Sequence, residues 1–287
     1  MIYRIPLGDW ADSFVDWLTD TFDRFFTFIG SVLDWLFDVL ALVAGEPPFW
    51  IVGLVLAGLA FAVKGWRLAL GALAGFAIIY GVDQWDEAMS TLALVVVASV
   101  FAIGIGVPLG IWAARSSTVS AVLRPVLDFM QTMPAFVYLL PAVILFRVGV
   151  VPGIVATIIF SMAPGVRFTE LGIRQVDTEV VEAGHAFGAT PGRILRQVQL
   201  PLALPNIMAG VNHVIMLALS MVVISGMVGA PGLGQPVVQA LQSVNIGLGV
   251  EAGFAVVILA MYLDRVTSAL GERSPVSRAL KVRAADA

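Results

Sequence analysis

Long apolar blocks, separated by short polar turns, follow one another through most of this chain. Most of the blocks approach the roughly 20 residues that an α-helix needs to cross a bilayer. The pattern predicts an all-α integral membrane protein with about seven transmembrane helices. The predicted spans are residues 49–63, 66–82, 88–114, 121–146, 152–171, 205–228 and 246–263.

Helix-breaking residues lie inside the third and fourth predicted spans. Neighbouring helices or a water-lined cavity can satisfy the backbone groups that such residues leave free. Their density is typical of a helix bundle around a pathway, although close helix packing explains the glycines equally well. The residues are Gly104, Gly106, Pro108, Gly110, Pro134 and Pro141.

The leading segment differs from the spans because aspartates recur in it mostly every three or four residues. Aromatic and aliphatic residues fill the positions between them, which predicts an amphipathic helix with a candidate break near Gly30. Two placements remain open: along the outer membrane face, held by hydrophobic burial, or packed against the protein's own bundle as a scaffold. The acidic stripe consists of Asp12, Asp16, Asp20, Asp23, Asp34 and Asp38.

The composition indicates that lipid, instead of water, surrounds most of the folded chain. Hydrophobic residues make up 59% of the 287 positions and charged residues 13%, against about 25% charged residues in an ordinary soluble domain. The chain contains no cysteine, which excludes disulfides and thiolate metal sites. With only two histidines a metal site is not expected, and the lack of basic runs argues against nucleic acid as a partner.

Orientation follows from the basic residues, which favour the cytoplasmic side of a membrane. With the turn at Lys64 and Arg67 placed inside, 13 of the 16 basic residues fall on that side. The sequence therefore predicts an outer N-terminus, a cytoplasmic C-terminus and a cytoplasmic loop around Glu182. The inside set is Lys64, Arg67, Arg115, Arg124, Arg167, Arg174, Arg193, Arg196, Arg265, Arg273, Arg278, Lys281 and Arg283.

The longest polar interruption, residues 173–203, has the features of a rigid contact segment. Ala183 and Gly184 are small, so a partner can approach the backbone closely, and Glu182 offers a charge. Gly188 permits a sharp turn. This pattern predicts a short helix followed by a turn.

A second short helix is predicted directly after that turn. Thr190 and Pro191 read as an N-cap and a proline at the first helical position. Leu200 and Pro201 read as its end, just before the sixth predicted span.

In this register the loop resembles the cytoplasmic coupling loop of ABC importer permeases, which docks into a separate ATPase. The positions that carry the resemblance are Glu182, Ala183, Gly184, Gly188, Thr190, Pro191, Leu200 and Pro201. Residues 123–142, 153–176 and 199–235 resemble the matching segments of glycine betaine/proline ABC importer permeases. Gly184 replaces a more usual alanine and Val198 a more usual isoleucine.

The resemblance implies a five-helix permease core within residues 85–270 that works as a homodimer. Its partners would be two ATPase subunits, which bind ATP and Mg, and an extracytoplasmic substrate-binding protein. Substrates would be betaine-like methylated solutes, such as glycine betaine, proline betaine, choline, carnitine, trimethylamine N-oxide or dimethylsulfoniopropionate. The location would be the bacterial cytoplasmic membrane. The remaining segments are then an outer amphipathic segment (1–47), an accessory hairpin (48–84) and a cytoplasmic tail (271–287).

Two weaker sets of residues are candidates for the pathway and for docking. Asn206, His213 and Ser220 share one face of the sixth span and either line the pathway or make interhelical hydrogen bonds. For His213 a structural role competes with that of a substrate ligand. Gln131, Thr132 and Met133 also are pathway candidates, and Asp128 is expected to pair with Arg124. The outer turn Gly229, Pro231, Gly232 and Gly234 is either a docking site for the binding protein or a plain connector.

The chain is expected to be a transport subunit and not an enzyme. It has no phosphate-binding loop of the Gly-x-x-x-x-Gly-Lys-Ser/Thr type, so ATP hydrolysis would belong to another chain, and no cofactor is expected here. Two alternatives are an ion-gradient-driven transporter or channel for small amines, and a membrane scaffold. Few intramembrane carboxylates suit ion coupling, and neither alternative explains the loop.

Overall fold

Every regular element between residues 6 and 272, the part of the chain that this computed structural model describes, is helical. The predicted all-α class is thus confirmed. The helices are α1 (Leu7–Gly45), α2 (Phe49–Lys64), α3 (Trp66–Gly81), α4 (Trp85–Arg115), α5 (Ser117–Thr132), α6 (Leu139–Phe146), α7 (Val150–Arg174), α8 (Thr178–Ala186), α9 (Pro191–Ile194), α10 (Leu200–Gly226), α11 (Gly234–Ser243) and α12 (Ile246–Glu272).

Five or six segments of the described chain are long and apolar enough to cross a membrane. The five are most of α1, α4, α7, the continuous run Pro191–Gly226, and α12, and a sixth results if α5 and α6 are counted together. The apolar helices α2 and α3 have 16 residues each. They reach about 24 Å, less than the roughly 30 Å of a hydrocarbon core.

The fourth predicted span, 121–146, is broken at Pro134, one of the helix breakers noted inside it. The axes of α5 and α6 differ by 108°, and a short 3-10 turn, Ala135–Tyr138, lies between them. Pro134 is the cause, because proline disfavours the helical conformation at the residue before it. Met133 is accordingly extended, with φ −71° and ψ 132°.

The leading segment forms one helix of 39 residues, and its irregular torsion is at Phe22 (φ −117°) instead of Gly30. A Cβ atom on Gly30 would lie 3.5 Å from the ring of Phe146, so this glycine serves packing. In the second half of α1, Leu33 and Phe37 are buried in the main apolar cluster. The second half therefore packs on the protein's own bundle, whereas Trp10 near the start is 60% exposed.

The centre of the bundle is α7, which packs against α4 on one side and α10 on the other. Glycines make these contacts close: a Cβ on Gly110 would lie 2.6 Å from the carbonyl oxygen of Val166, and one on Gly210 would lie 2.7 Å from the Cβ of Phe168. In lipid no hydrophobic force drives helices together, because the lipid tails are as apolar as the side chains. Helices therefore associate through close packing of small residues such as these.

The hairpin of α2 and α3 is attached to α12. Tyr262 donates a hydrogen bond to the carbonyl oxygen of Leu56 (2.9 Å), and a Cβ on Gly75 would lie 2.6 Å from Ile258. The hairpin therefore sits beside the bundle without entering its centre. The predicted tail beyond Glu272, including Arg273, lies outside the described residues.

We predict that Gly110→Leu destabilises the bundle by about 1–3 kcal/mol or more, because the added side chain must displace the α7 backbone. Thermal unfolding of the detergent-solubilised protein measures this. Gly104→Leu is the matched control on the same helix, since Gly104 is exposed and no atom lies within 4 Å of its Cβ position. Equal melting temperatures for the two variants would contradict the packing role.

Candidate functional site

The polar loop between α7 and α10 is built around α8, which projects from the bundle with no buried residue. Its start is fixed by Asp177, whose carboxylate accepts a hydrogen bond from the amide of Glu179 (3.0 Å). Glu182 and Ala183 are both exposed on it. The small helix predicted in this loop is therefore present and accessible.

The end of α8 is held by a Schellman motif at Gly188. Gly188 has φ +75°, its amide donates to the carbonyl of His185 (2.9 Å), and the amide of Ala189 donates to the carbonyl of Gly184 (3.1 Å). This geometry needs a left-handed residue after the helix, which favours glycine. The predicted turn at Gly188 is confirmed.

The helix α8 is braced against the next turn of the chain. A Cβ on Gly184 would lie 3.3 Å from Ile194, and Ile194 and Leu195 are both buried. Gly184 thus allows close approach within the chain itself. Thr190 is the N-cap residue of α9 and Pro191 follows it, as predicted, but the Thr190 side chain makes no capping hydrogen bond.

The prediction that Leu200 and Pro201 end the second helix was wrong. The amide of Leu200 donates to the carbonyl of Leu195, five residues back, within a π-helical turn (Leu195–Gln199). Such a wide turn accommodates an extra residue inside a helix. Pro201 lies at the first turn of α10, where a missing amide costs least. The run from Pro191 to Gly226 is therefore continuous.

Sequence reasoning missed Phe187, the most exposed residue of the loop among those discussed. It lies at the end of α8 and is 92% exposed. A phenyl ring in water forgoes a large burial energy. The signal available in the sequence was an aromatic residue between two small residues, Ala186 and Gly188, in a polar loop.

The pathway candidates of α10 separate into two groups. Asn206 is half-buried and donates to the side chain of Gln175 (3.2 Å). His213 and Ser220 are exposed on the bundle surface. The His213 ring lies 5.1 Å from that of Phe168, and the Ser220 hydroxyl donates to the carbonyl of Met216 (3.0 Å). Asn206 thus contacts a residue at the end of α7, whereas His213 and Ser220 are exposed and their polar groups bond to no residue of another helix in the described part of the chain.

The other pathway candidates end α5 at the bend. Gln131 and Thr132 are exposed and Met133 is half-buried. Thr132 donates to the carbonyl of Phe129 (3.1 Å). These residues share the exposed character of His213 and Ser220, and their pathway role stays a prediction.

The outer turn is packed more tightly than its glycines suggested. Gly232 and Gly234 are buried, and a Cβ on Gly232 would lie 2.6 Å from the hydroxyl of Thr91. That hydroxyl accepts a hydrogen bond from the amide of Leu233 (2.8 Å). Of the predicted docking residues only Gly229 is exposed, with Pro231 half-buried.

Comparison with known proteins identifies the origin of this loop and bundle. The profile of the family described as "Binding-protein-dependent transport system inner membrane component" matches residues 106–273. The chain belongs to this family.

Its similarity to characterised members extends over nearly the whole sequence. It is 50% identical to the glycine betaine transport system permease protein OpuAB of Bacillus subtilis, over 92% of this chain and 94% of the relative. It is 48% identical to the glycine betaine/carnitine transport permease protein GbuB of Listeria monocytogenes, over 95% of this chain and 98% of the relative. The glycine betaine/proline betaine permease protein ProW of Escherichia coli is 44% identical, over 94% of this chain and 76% of ProW.

A solved structure shows the same fold. The MetNI methionine ABC transporter in an inward-facing conformation matches with a TM-score of 0.56 and 26% identity, over 69% of this chain and 95% of the solved chain. The chain is therefore a membrane-spanning permease subunit of an ABC importer, not an enzyme. A separate ATPase supplies ATP hydrolysis in such a system, and a separate binding protein delivers the substrate.

The permease also contains an ionic cluster that the sequence reading missed. The predicted pair of Asp128 with Arg124 was wrong: Asp128 pairs with Arg167, and Arg124 pairs with Glu170 at 3.3 Å. The carboxylate of Glu170 is almost wholly buried. Helical periodicity along a single chain segment favours partners three or four residues apart, whereas these pairs join different helices.

Between residues 6 and 272, no group of three or more His, Asp or Glu side chains is arranged to hold a metal ion. What the described loop offers is a contact surface: a short capped helix, a glycine-terminated end and an exposed phenyl ring.

We predict that Gly188→Val loosens the end of α8, because a β-branched residue at φ +75° costs about 1–2 kcal/mol. Hydrogen exchange at the amides of Phe187 and Ala189 is then expected to be roughly 5–30-fold faster. The matched control is Gly192→Val, which places the same side chain at an exposed position with ordinary torsions and no neighbour within 4 Å. Unchanged protection in Gly188→Val would contradict the capping role.

Proposed function

We propose that this permease works as a homodimer with two ATPase subunits and an extracytoplasmic binding protein to import betaine-like methylated solutes. The supporting observation is that three relatives of 44–50% identity, aligned over at least 92% of this chain, all carry glycine betaine in their names. Two of these three names also include carnitine or proline betaine, and a further relative is named for trimethylamine N-oxide transport. The solute class is thus a small molecule with a methylated nitrogen.

The ATPase contact is assigned to α8. Glu182 and Ala183 present an exposed charge and a small surface, and Phe187 supplies an apolar anchor of the type that dominates protein interfaces. The brace at Gly184 and Ile194 makes α8 move with α9 and the start of α10. In the proposed mechanism, closure of the ATPase pair pushes α8, and the helices reorient between outward and inward states.

The proposed orientation is taken from the distribution of basic residues, with α8 in the cytoplasm and the N-terminus outside. In this orientation α1 stays on the outer side and does not cross the membrane. In this frame the turn at Gly229 and Pro231 faces the exterior, where a binding protein would dock. Substrate selection would rest largely on that binding protein.

A second copy of the chain is needed to account for the exposed polar groups within the bundle. His213 and Ser220 on α10, and Gln131 and Thr132 on α5, are exposed at positions surrounded by apolar sequence. Polar side chains in hydrocarbon normally face a bundle interior or a water-filled cavity. A dimer whose subunits face each other across a pathway would place them in water.

The alternative of an ion-gradient-driven transporter would require uptake without ATPase or binding protein. Family membership argues against it, and the exposed phenyl ring on α8 would have no partner. A scaffold role gives no reason for the whole-length similarity to permeases.

We predict ATP-dependent uptake of labelled glycine betaine when this permease is reconstituted in vesicles with its ATPase and binding protein. Leucine, which lacks a methylated nitrogen, is the control solute. Uptake driven by an ion gradient without ATP, or no discrimination between glycine betaine and leucine, would contradict the proposed function.

The same reconstituted vesicles test whether Phe187 anchors the ATPase. Phe187→Ala is expected to weaken ATPase binding by about 2 kcal/mol, roughly 30-fold in affinity, as for a buried aromatic hot spot. Phe254→Ala removes a 61% exposed ring from α12 and serves as control. Equal ATPase retention by the two variants would sink the docking role of Phe187.

We further predict that Ser220→Cys forms an intermolecular crosslink with a short bifunctional maleimide. The natural chain has no cysteine, so the new thiol is the sole target. Leu54→Cys, at a 56% exposed position on the accessory helix α2, is the matched control and should remain monomeric on a denaturing gel. Crosslinking of both variants or of neither would speak against a dimer through α10.

A further inference from the structure

Glu170 is a charged residue in the inner part of the bundle whose carboxylate is only 8% exposed. One of its oxygens, Oε1, accepts hydrogen bonds from the Ser120 hydroxyl (2.6 Å) and from Arg124 (3.3 Å), and it forms an ion pair with Arg174 (3.0 Å). We call these four residues the inner cluster. A buried carboxylate is retained only when partners compensate its lost hydration, and here two of the three partners come from another helix.

The inner cluster connects three helices, α7, α5 and α4. Glu170 and Arg174 belong to the last turns of α7, and Ser120 and Arg124 belong to the first half of α5. Arg174 also donates to the carbonyl oxygen of Ala113 (2.9 Å). That carbonyl lies in the last turn of α4, where carbonyl groups lack helical partners and attract cations.

This polar link is one of two attachments of α5 to α7. The other is apolar, because Leu127 packs with Ala163 and Val166 of α7. Only Ser120 and Leu127 of the 16 residues of α5 are buried, so the bond from Ser120 to Glu170 lies at one of the two points where α5 is buried. The second ion pair between the same helices, Asp128 with Arg167, is substantially exposed on both sides, at 65% and 41%. Exposed pairs contribute little because water screens them.

The position of the cluster along the chain connects the loop to the bend. Arg174 is the last residue of α7, and Asp177, the N-cap of α8, follows three residues later. At its other end α5 leads to Gln131, Thr132 and the 108° bend. A displacement of α8 that moves the end of α7 thus reaches the bend through α5.

We propose that Glu170 is the positioning residue that transmits movement of the coupling loop to α5 and the bend. This inference rests on the proposed function, in which α8 receives the movement from an ATPase. Glu170 contacts neither ATPase nor solute in this account. It fixes α5 to α7 so that the two helices shift together.

The test uses the complete complex of permease, ATPase and binding protein in vesicles. Glu170→Gln is expected to keep the ATPase bound but to lower the glycine betaine imported per ATP hydrolysed by at least about tenfold, within the usual range of coupling between sites. Asp128→Asn is the matched control, because it removes the other carboxylate between the same two helices. Its transport ratio is expected to equal that of the natural protein.

Arg124→Gln provides a second variant that leaves Glu170 paired with Arg174 on its own helix, so folding does not depend on the lost contact. It is expected to lower the transport ratio as well, and Arg124→Lys, which keeps the charge, should retain most of it. An unchanged ratio in Arg124→Gln would overturn the proposal. So would a fall in transport that merely parallels a lower melting temperature or loss of bound ATPase. Absence of ATP-dependent uptake in the natural protein would instead refute the proposed function.

Discussion

The close approach of α4 and α10 to α7 is the contact on which the rest of the structure depends. In lipid an apolar side chain gains nothing by leaving its solvent, so helices need shape and small residues to associate. Gly110 and Gly210 bring neighbouring backbones within the distance of a single methyl group. This packing fixes α7 at the centre, and α7 in turn holds both the loop that we propose for ATPase coupling, at its end, and Glu170 one turn earlier.

Because the centre of the bundle is closely packed, the short exposed helix α8 is suited to the mechanical contact that we propose for it. Both ends of α8 are fixed, by Asp177 at the start and by Gly188 at the finish. The π turn at Leu195–Gln199 then carries the chain into α10 without a break. After the turn at Gly188, the second helix of the loop is therefore continuous with α10, in contrast to the second helix ending at Leu200 and Pro201 that the sequence predicted.

Polar groups divide according to whether their own chain satisfies them. Thr91, Asn206 and Glu170 find partners within the subunit. His213 and Gln131 remain exposed on surfaces that the sequence pattern assigns to the membrane. The first group has a structural role within the subunit. The exposure of the second group is explained if a second subunit and a water-filled pathway lie next to it.

The sequence by itself determined the membrane environment, the helical class, the positions of most helices, and the presence of a short capped loop helix. These features depend on local composition, on periodicity and on turn residues such as Gly188, which act over a few positions. The break at Pro134 shows the limit: the proline was visible, but the resulting 108° bend depends on which neighbours can satisfy the freed backbone.

Only the tertiary structure decided which residues meet across helices. The pairing of Arg124 with Glu170, and of Asp128 with Arg167, joins positions 46 and 39 residues apart. The burial of Gly232 and the packing of the second half of α1 on the bundle were likewise visible only in the tertiary structure. Each depends on how whole helices pack, and no local pattern along the chain encodes the relative rotation and depth of two distant helices.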